Sequence, residues 1–410
     1  MKEKQISADM IICCSRHDYQ RMGIDSRDQW EMYEDLPGGL NGVRELVDKA
    51  HARDVQVFIP YKPWDIMNKD KNHFKEEAKI AKAIGSDGVF LDTMDESDKM
   101  FREALDAVNP DNVFVSEGRP DLDAAQLVTG SWNQQGNATN RMPNVDLLRF
   151  IIPEHNVHNI NRGARKRDEL ILNALFNGTG FIVWEDIFGE INNYSWNERI
   201  MIKRYNRIIH ENRDAYLSDS PVPLVRDFRD DVYVNKFPVH NKCVYPVYQL
   251  DREHISRSLD NRLIGPFMPV DHPESWHYVD VWNHKAIPTQ NFKGMTCLAF
   301  PEEPTDVMSC IVALPSNLLV ESKGTILDIS ARQPVENASL HINTVDNLTF
   351  LEENQQIIPG HTGKVDISEL QLDFPYKVIV KLMQDDILVD EVIVNTGWKQ
   401  FDTSCSPAAP

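Results

Sequence analysis

The sequence predicts an α/β protein: a (β/α)8 TIM-type barrel lacking its first strand, followed by two all-β sandwich domains. Seven short apolar runs in the first half alternate with segments of helical period, the pattern of a parallel sheet with crossover helices. Several of these runs stop on a polar or acidic residue, as in VFLD at 89–92, VFVSE at 113–117 and FIVWED at 181–186. A parallel barrel buries its strand bodies and collects its chemistry at their C-terminal ends. After about residue 217 the helical period disappears, and β-rich runs punctuated by turns take over.

The seven runs lie at 10–14, 55–60, 88–92, 112–117, 126–129, 147–152 and 179–184. Between the first two, GGLNGVRELVDKAHARD places Val43, Leu46, Val47 and Ala50 at i, i+3, i+4 and i+7, an amphipathic helix. Phe74, Ala78 and Ala81 repeat that spacing before Gly85 stops the next helix. DESDKMFREALDAVNP opens with acids, suited to a helix N-terminus, and ends at Pro110. A last long helix over 197–216 carries Met201, Tyr205, Ile208 and Ile209 on one face. A closed barrel wants eight strands and typically ~250 residues, whereas this region supplies seven strands in about 215 residues and starts almost at once with a strand. The expectation is therefore a barrel that begins at its second strand. An open doubly wound sheet is the alternative, but no Gly-rich phosphate loop follows any strand.

Pro221 and Pro223 mark the end of the barrel region, predicted to span 1–216. DVYVNKFPV, KCVYPVYQL, HYVDVW and GMTCLAF then build a first β-sandwich over 217–315. GTILDIS, ASLHINTV, YKVIVKL and DILVDEVIV build a second, of immunoglobulin or fibronectin type, over 316–401, and the tail 402–410 reads as disordered.

Composition bounds the partners. A net charge of -20 repels phosphate backbones and anionic membrane surfaces, and no basic run offsets it, so nucleic acid is not an expected ligand. With 41% apolar and 26% charged residues this is an ordinary globular composition, and no stretch reaches the ~20 apolar residues of a membrane span. MKEKQISADM lacks the apolar core of a signal peptide, so the chain as written reads as cytoplasmic, with a secreted or periplasmic location expected if a further N-terminal segment precedes it. The six cysteines, with Cys13 and Cys14 adjacent, show no CxxC or His/Cys spacing. No metal site and no cofactor is expected.

The chemistry expected at the strand ends is carboxylate chemistry. Glycoside hydrolysis needs two carboxyl groups flanking the scissile bond, one to protonate the leaving oxygen and one to attack or stabilise the anomeric carbon. Asp92 and Glu117 end consecutive runs, and neighbouring strands lie ~4.8 Å apart, close to the ~5 Å carboxyl separation of retaining enzymes. Asp92 is the candidate nucleophile and Glu117 the candidate acid/base. The plainer role for either is to cap a following helix or fix a loop, since DESDKMF starts just behind Asp92. Around them stand Arg16, His17 and Asp18 after the first run; Lys62, Trp64 and Asp65 after the second; Trp132 and Asn133 after the fifth; Glu154 and His155 after the sixth; and Trp184, Glu185 and Asp186 at the seventh. Aromatic faces stack on the apolar faces of sugars while acids and amides bind hydroxyls. Taken singly, each of these is more often packing or structural; their clustering at strand ends suggests a sugar-binding set.

GSDGVFLDTM followed by VFVSEG, then a late strand ending in WED, resembles the catalytic core of glycoside hydrolase barrels of the α-glycosidase type. In the α-amylase-like group the nucleophile Asp sits on strand four and the acid/base Glu on strand five, positions that Asp92 and Glu117 take once a missing first strand is counted. GGLNGVRELVDKAHARDVQVFIPYKPWD is similar to the strand-three region of melibiase-like and family 31-like glycosidases. The resemblance covers residues 1 to about 300. The chain departs from it in two places: Phe90 stands where α-amylases carry Arg and melibiase-like enzymes Lys, and GSWNQQG offers no carboxylate for a strand-six acid/base. The resemblance implies a retaining hydrolase acting on α-linked glycosides, with an oligosaccharide or glycoside as partner. The alternative, from another class, is a non-catalytic carbohydrate-binding protein that kept the barrel's sugar pocket.

Overall fold

The fold is that of a computed structural model, which describes residues 8–11, 30–62, 72–92, 94, 99–134, 143–160, 167–182, 194–228, 232–249, 266–299, 308–346, 348–370 and 377–395. The chain divides into two compact units, Met1–Asn140 with Asn144–Asn193, and Arg141–Pro143 with Tyr194–Pro410.

The first unit is built on one parallel sheet of seven strands: β1 (Ala8–Ile11), β2 (Val55–Tyr61), β3 (Gly88–Leu91), β4 (Val113–Ser116), β5 (Gly130–Gln134), β6 (Asn156–Ile160) and β7 (Gly180–Phe181). Its spatial order is the sequence order, and every neighbouring pair is parallel. A doubly wound sheet reverses its strand order partway, whereas unbroken sequential order is that of a barrel wall. The predicted fold class is therefore the observed one. Among the described residues no pairing joins β7 to β1.

Helices α1 (Gly39–His51), α2 (His73–Ile84) and α3 (Lys99–Asp106) connect the early strands. The stripe predicted for α1 is the face it buries, through Val43, Val47 and Ala50. The carbonyl of the Asn72 side chain caps α2 by accepting from Lys75 N at 3.1 Å, and Gly85, at φ 76°, ends it in the left-handed conformation that suits glycine. Strand residues sort by parity into two layers. Ile59, Tyr61, Val89, Leu91 and Phe114 pack outward with Ala78, Ala81, Ile84, Phe101 and Leu105 of the helices, while Phe58, Phe90 and Val115 pack together on the inner face, with Trp132 against them. The sheet is tightest at Gly88, where a Cβ would stand 1.8 Å from the Val113 carbonyl oxygen.

Three expected elements are corrected. The apolar run at 147–152 is not a strand: Leu147–Ile151 is a short helix, α4, with Leu148 and Arg149 buried and Leu147 and Ile151 exposed. A short apolar run does not separate strand from buried helix by periodicity, and the strand position goes to the polar-looking NVHNI of β6, which buries Val157, Asn159 and Ile160. Asn159 is accommodated because its amide donates to Thr179 Oγ1 at 2.9 Å. Likewise the run at 126–129 approaches a strand without forming one. Ala124–Gln126 is a 3-10 turn, Thr129 N donates to the Phe114 carbonyl at 2.7 Å, and β5 starts at Gly130. The 197–216 helix is two, α6 (Trp196–Glu211) and α7 (Arg213–Tyr216), broken at Asn212 with φ -118°; α5 (Arg167–Asn177) precedes them in the first unit.

In the second unit, α6 starts at a capping box in which Ser195 Oγ accepts from Glu198 N at 3.2 Å and the Glu198 carboxylate accepts from Ser195 N at 2.6 Å. The strands between 232 and 315 form a six-stranded and a three-stranded antiparallel sheet. The two share a core that includes Val234, Tyr245, Ile311 and Ala313 from one sheet and Phe267, Met268 and Leu298 from the other. Those from Leu318 to Asn395 form a three-stranded and a four-stranded sheet around Leu327, Ile329, Leu340, Ile342, Val378 and Val380. Two sandwiches in series are thus present, as predicted.

Helix α6 is tied to both sandwiches by charge. Arg204 donates to the Trp282 carbonyl at 2.7 Å with its guanidinium 3.7 Å over the Trp282 ring, and Arg207 donates to the Val281 carbonyl at 2.7 Å and pairs with Glu352. Lys381, fully buried, places Nζ 2.7 and 2.8 Å from the two Glu211 oxygens and 2.6 Å from Glu352 Oε2.

Candidate active site

Lys62, Asp92 and Glu117 follow directly on the last residues of β2, β3 and β4. The ladder pairs Tyr61 with Leu91 and Leu91 with Ser116. It then continues one step further, with Asp92 N donating to the Tyr61 carbonyl at 2.9 Å and Glu117 N to the Leu91 carbonyl at 3.0 Å. The three residues therefore form the next rung of the sheet, side by side on neighbouring strands. Alternation sends them to the face of Phe58, Phe90 and Val115, the inner one.

All three are buried: Lys62 is 6%, Asp92 7% and Glu117 5% exposed. Lys62 Nζ stands 3.8 Å from Asp92 Oδ2, giving that carboxylate a counter-charge. A buried carboxylate without a partner is costly, which is one physical reason for a lysine at this position. The same rung runs on to Trp132 in β5, next to Ser131, the partner of Ser116, and to His158 in β6, the partner of Trp132. The Trp132 ring stacks on Phe90 at 4.0 Å between centroids, with 27° between planes. Phe90 is thus an aromatic support for Trp132.

His158 escaped the sequence reading because the sixth strand was placed at 147–152. Its ring lies against Gly180, where a Cβ would meet Cδ2 at 2.5 Å, and its Nδ1 is buried with no hydrogen-bond partner among the described residues. Burial, and secondarily the neighbouring His155, lower its pKa to about 4, so the ring is neutral at pH 7. The signal that could have found it is the alternation of NVHNI once that segment is read as a strand.

Glu154 and His155, expected to leave the sixth strand at the rim, instead lie in the connection that enters β6. Glu154 is solvent-exposed beside the buried Arg149. His155 is 2% exposed, shares a hydrogen bond with Ser131 Oγ at 2.8 Å, and has its pKa lowered to about 4, mainly by burial. It packs as a neutral structural imidazole. Trp132 and Asn133 are corrected from loop to strand residues of β5. Arg16, His17, Asp18, Trp64, Asp65, Trp184, Glu185 and Asp186 lie outside the described residues.

Beside the rung, Arg119 reaches Asp146 Oδ2 at 3.5 Å, and burial raises the Asp146 carboxyl above its usual range. Among the described residues no group of three or more His, Cys, Asp or Glu is placed to hold a metal ion, and no helix is long and apolar enough to cross a membrane. Chemically, the rung offers two adjacent carboxyl groups, one with a fixed cation, beside an aromatic face and a neutral imidazole.

No protein-family model and no curated protein matches the sequence. Among solved structures, the chain is similar to Gamma-CGTASE from an alkalophilic Bacillus clarkii, at 11% identity over 96% of this chain and 75% of that one, with a TM-score of 0.49. It is also similar to an alpha-amylase from Geobacillus thermoleovorans complexed with acarbose, at 12% identity over 76% and 99%, TM-score 0.48. A debranching enzyme from Nostoc punctiforme gives 12% identity over 74% and 84%, TM-score 0.44. Likeness of this extent assigns no chemistry to the chain.

Proposed function

We propose that the chain is a glycoside hydrolase that cleaves α-linked glycosidic bonds by retaining double displacement, with Asp92 as nucleophile and Glu117 as acid/base. The observation that carries this is the shared rung: two buried acidic residues on neighbouring parallel strands, their backbones one interstrand spacing apart and on the same face of the sheet. Backbones ~4.8 Å apart support a carboxyl separation near the ~5–5.5 Å of retaining enzymes, against the ~6.5–9.5 Å of inverting ones.

In the first step Asp92 attacks the anomeric carbon while Glu117 protonates the departing oxygen. A glycosyl ester forms on Asp92 and the leaving alcohol departs. In the second step Glu117, now a carboxylate, takes a proton from water, which displaces Asp92 and gives a product of unchanged configuration. Lys62 fits this scheme as a fixed positive charge beside a carboxylate that must act as an anion. Trp132, braced on Phe90, supplies an apolar face for a sugar ring.

The test is a screen of nitrophenyl glycosides with the wild type and with Asp92→Asn, an isosteric change that keeps one accepting oxygen and replaces the nucleophilic carboxylate by a non-nucleophilic amide. The expected result is a hydrolysable glycoside on which D92N loses at least about 10^3-fold in kcat while binding and the folded state persist. A wild type that binds oligosaccharides but cleaves none would assign these carboxylates to hydroxyl recognition, and an active D92N would remove Asp92 from the reaction.

A further inference from the structure

A cavity of about 470 Å³ opens on the first sandwich, lined by Arg226, Phe228, Phe292, Lys293 and Met295. Two fixed pieces of backbone form it. The segment before the first strand is pinned by Val225 N donating to the Val234 carbonyl at 2.8 Å and Phe228 N donating to the Phe267 carbonyl at 2.9 Å. The other piece is the tip of the hairpin that pairs Thr289–Phe292 with Met295–Ala299. The Phe228 and Phe292 rings meet edge-on at 5.6 Å.

The electrostatics are unusual for this molecule. Acids outnumber bases 63 to 43, yet neither Arg226 nor Lys293, both exposed, has a carboxylate partner among the described residues. Each lies by a ring instead, Arg226 at 5.8 Å from the Phe228 centroid and Lys293 at 5.2 Å from that of Phe292. The hairpin tip carries a further sign. Lys293 adopts φ 51° and Gly294 φ 80°, with Gly294 N donating to Asn291 Oδ1 at 3.1 Å. A two-residue turn with positive φ at both positions favours Asn or Asp before the glycine; a lysine there carries conformational cost and sets an ammonium at the cavity edge.

We propose that this cavity binds an acidic saccharide, a chain bearing uronate carboxylates, at a site separate from the Asp92 and Glu117 rung. A guanidinium takes a carboxylate through two parallel hydrogen bonds, and a neighbouring ammonium adds a second positive charge. The phenylalanine rings take the apolar face of the sugar. The saccharide class rests on the glycosidase reading, whereas the need for an anion rests on two cations that have no carboxylate partner among the described residues.

Calorimetry with full-length D92N, which cannot consume the ligand, tests this with trigalacturonate and with the same trisaccharide reduced to neutral alcohols at its carboxyls. Trigalacturonate is expected to bind on the order of tenfold tighter than the reduced form, and raising salt from about 50 to 200 mM should weaken it. R226A/K293A is expected to lose at least about tenfold with an unchanged melting curve, because both side chains are exposed, and F292A should weaken the binding too. Equal binding of acidic and neutral trisaccharide, binding indifferent to R226A/K293A, or acetate competing as well as galacturonate would overturn the proposal. Failure of the glycosidase reading would show separately, as a wild type that cleaves no glycoside.

Discussion

At the scale of single residues, the proposed chemistry divides two carboxyl groups that stand on one rung into an anion and an acid. Asp92 has Lys62 at 3.8 Å, while Glu117 is buried one strand further along. If Glu117 is the acid/base, Glu117→Ala should slow substrates with poor leaving groups by about 10^2–10^4-fold. Activated aryl glycosides, which need no protonation to depart, should lose far less in the first step. Azide should restore part of the rate in E117A by replacing water in the second step, giving a glycosyl azide of retained configuration. Steady-state rates across a leaving-group series, with product analysis by NMR, read both effects. An azide of inverted configuration, or equal loss on every leaving group, would mean that the two roles are wrongly assigned.

At the scale of elements, the joint between α6 and the second sandwich is a buried charge network whose balance is testable. Around Lys381 stand Glu211, Glu352 and Glu391, with Arg207, Asp390 and His341 nearby. Lys381 bonds Glu211 and Glu352 and leaves Glu391 Oε2 at 4.0 Å, with both Glu391 oxygens buried and without a hydrogen bond among the described residues. Burial pushes the Glu391 carboxyl up to about 7, against the opposing pull of Lys381. A carboxyl held neutral in the fold but free to ionise when unfolded contributes fully only below its unfolded pKa, near 4.5. That contribution is lost as pH rises towards about 7, where the folded group ionises too. Glu391→Gln should therefore match the wild type near pH 4 and become more stable than it between about pH 4.5 and 7, by an amount on the order of a few kcal/mol. Above that range the difference should level off. Urea midpoints of the two proteins from pH 4 to 8 provide the check, and a difference that stays flat with pH would show Glu391 to be ionised in the fold.

On the scale of the whole molecule, the same network argues about where the second unit begins. The break in texture at Pro221 suggests that a fragment starting at 217 should fold. Such a fragment omits Arg204, Arg207 and Glu211, which bond Trp282, Val281, Glu352 and Lys381. Removing one partner of a buried pair leaves an uncompensated charge and costs about 3–5 kcal/mol. The fragment 194–410, which keeps α6 and its Ser195 cap, is expected to melt cooperatively. The fragment 217–410 should be less stable by at least about 3 kcal/mol or fail to fold. Circular dichroism melts of both fragments decide this, and equal stability would show the network to be energetically neutral.

The sequence by itself determined the fold class and, for the candidate site, which residues end β2, β3 and β4. The bodies of β2, β3 and β4 are near-continuous apolar runs because both faces of a parallel sheet are covered, so their ends, and with them Lys62, Asp92 and Glu117, are legible from local pattern. The change to short alternating strands after about residue 217 gave the sandwiches in the same way. Only the tertiary structure decided which of two short segments, LLRFI or NVHNI, is the sixth strand. Five or six residues carry too little periodicity to separate helix from strand, and the choice fell to nonlocal pairing, with Trp132 beside His158 in the ladder and Asn159 donating to Thr179. That choice brought His158 onto the rung and moved Glu154 and His155 off the rim. The pairing of Lys381 with Glu211, 170 residues apart, was out of reach for the same reason. A charged residue in a strand reads as solvent-facing until the chain that neutralises it is seen folded against it.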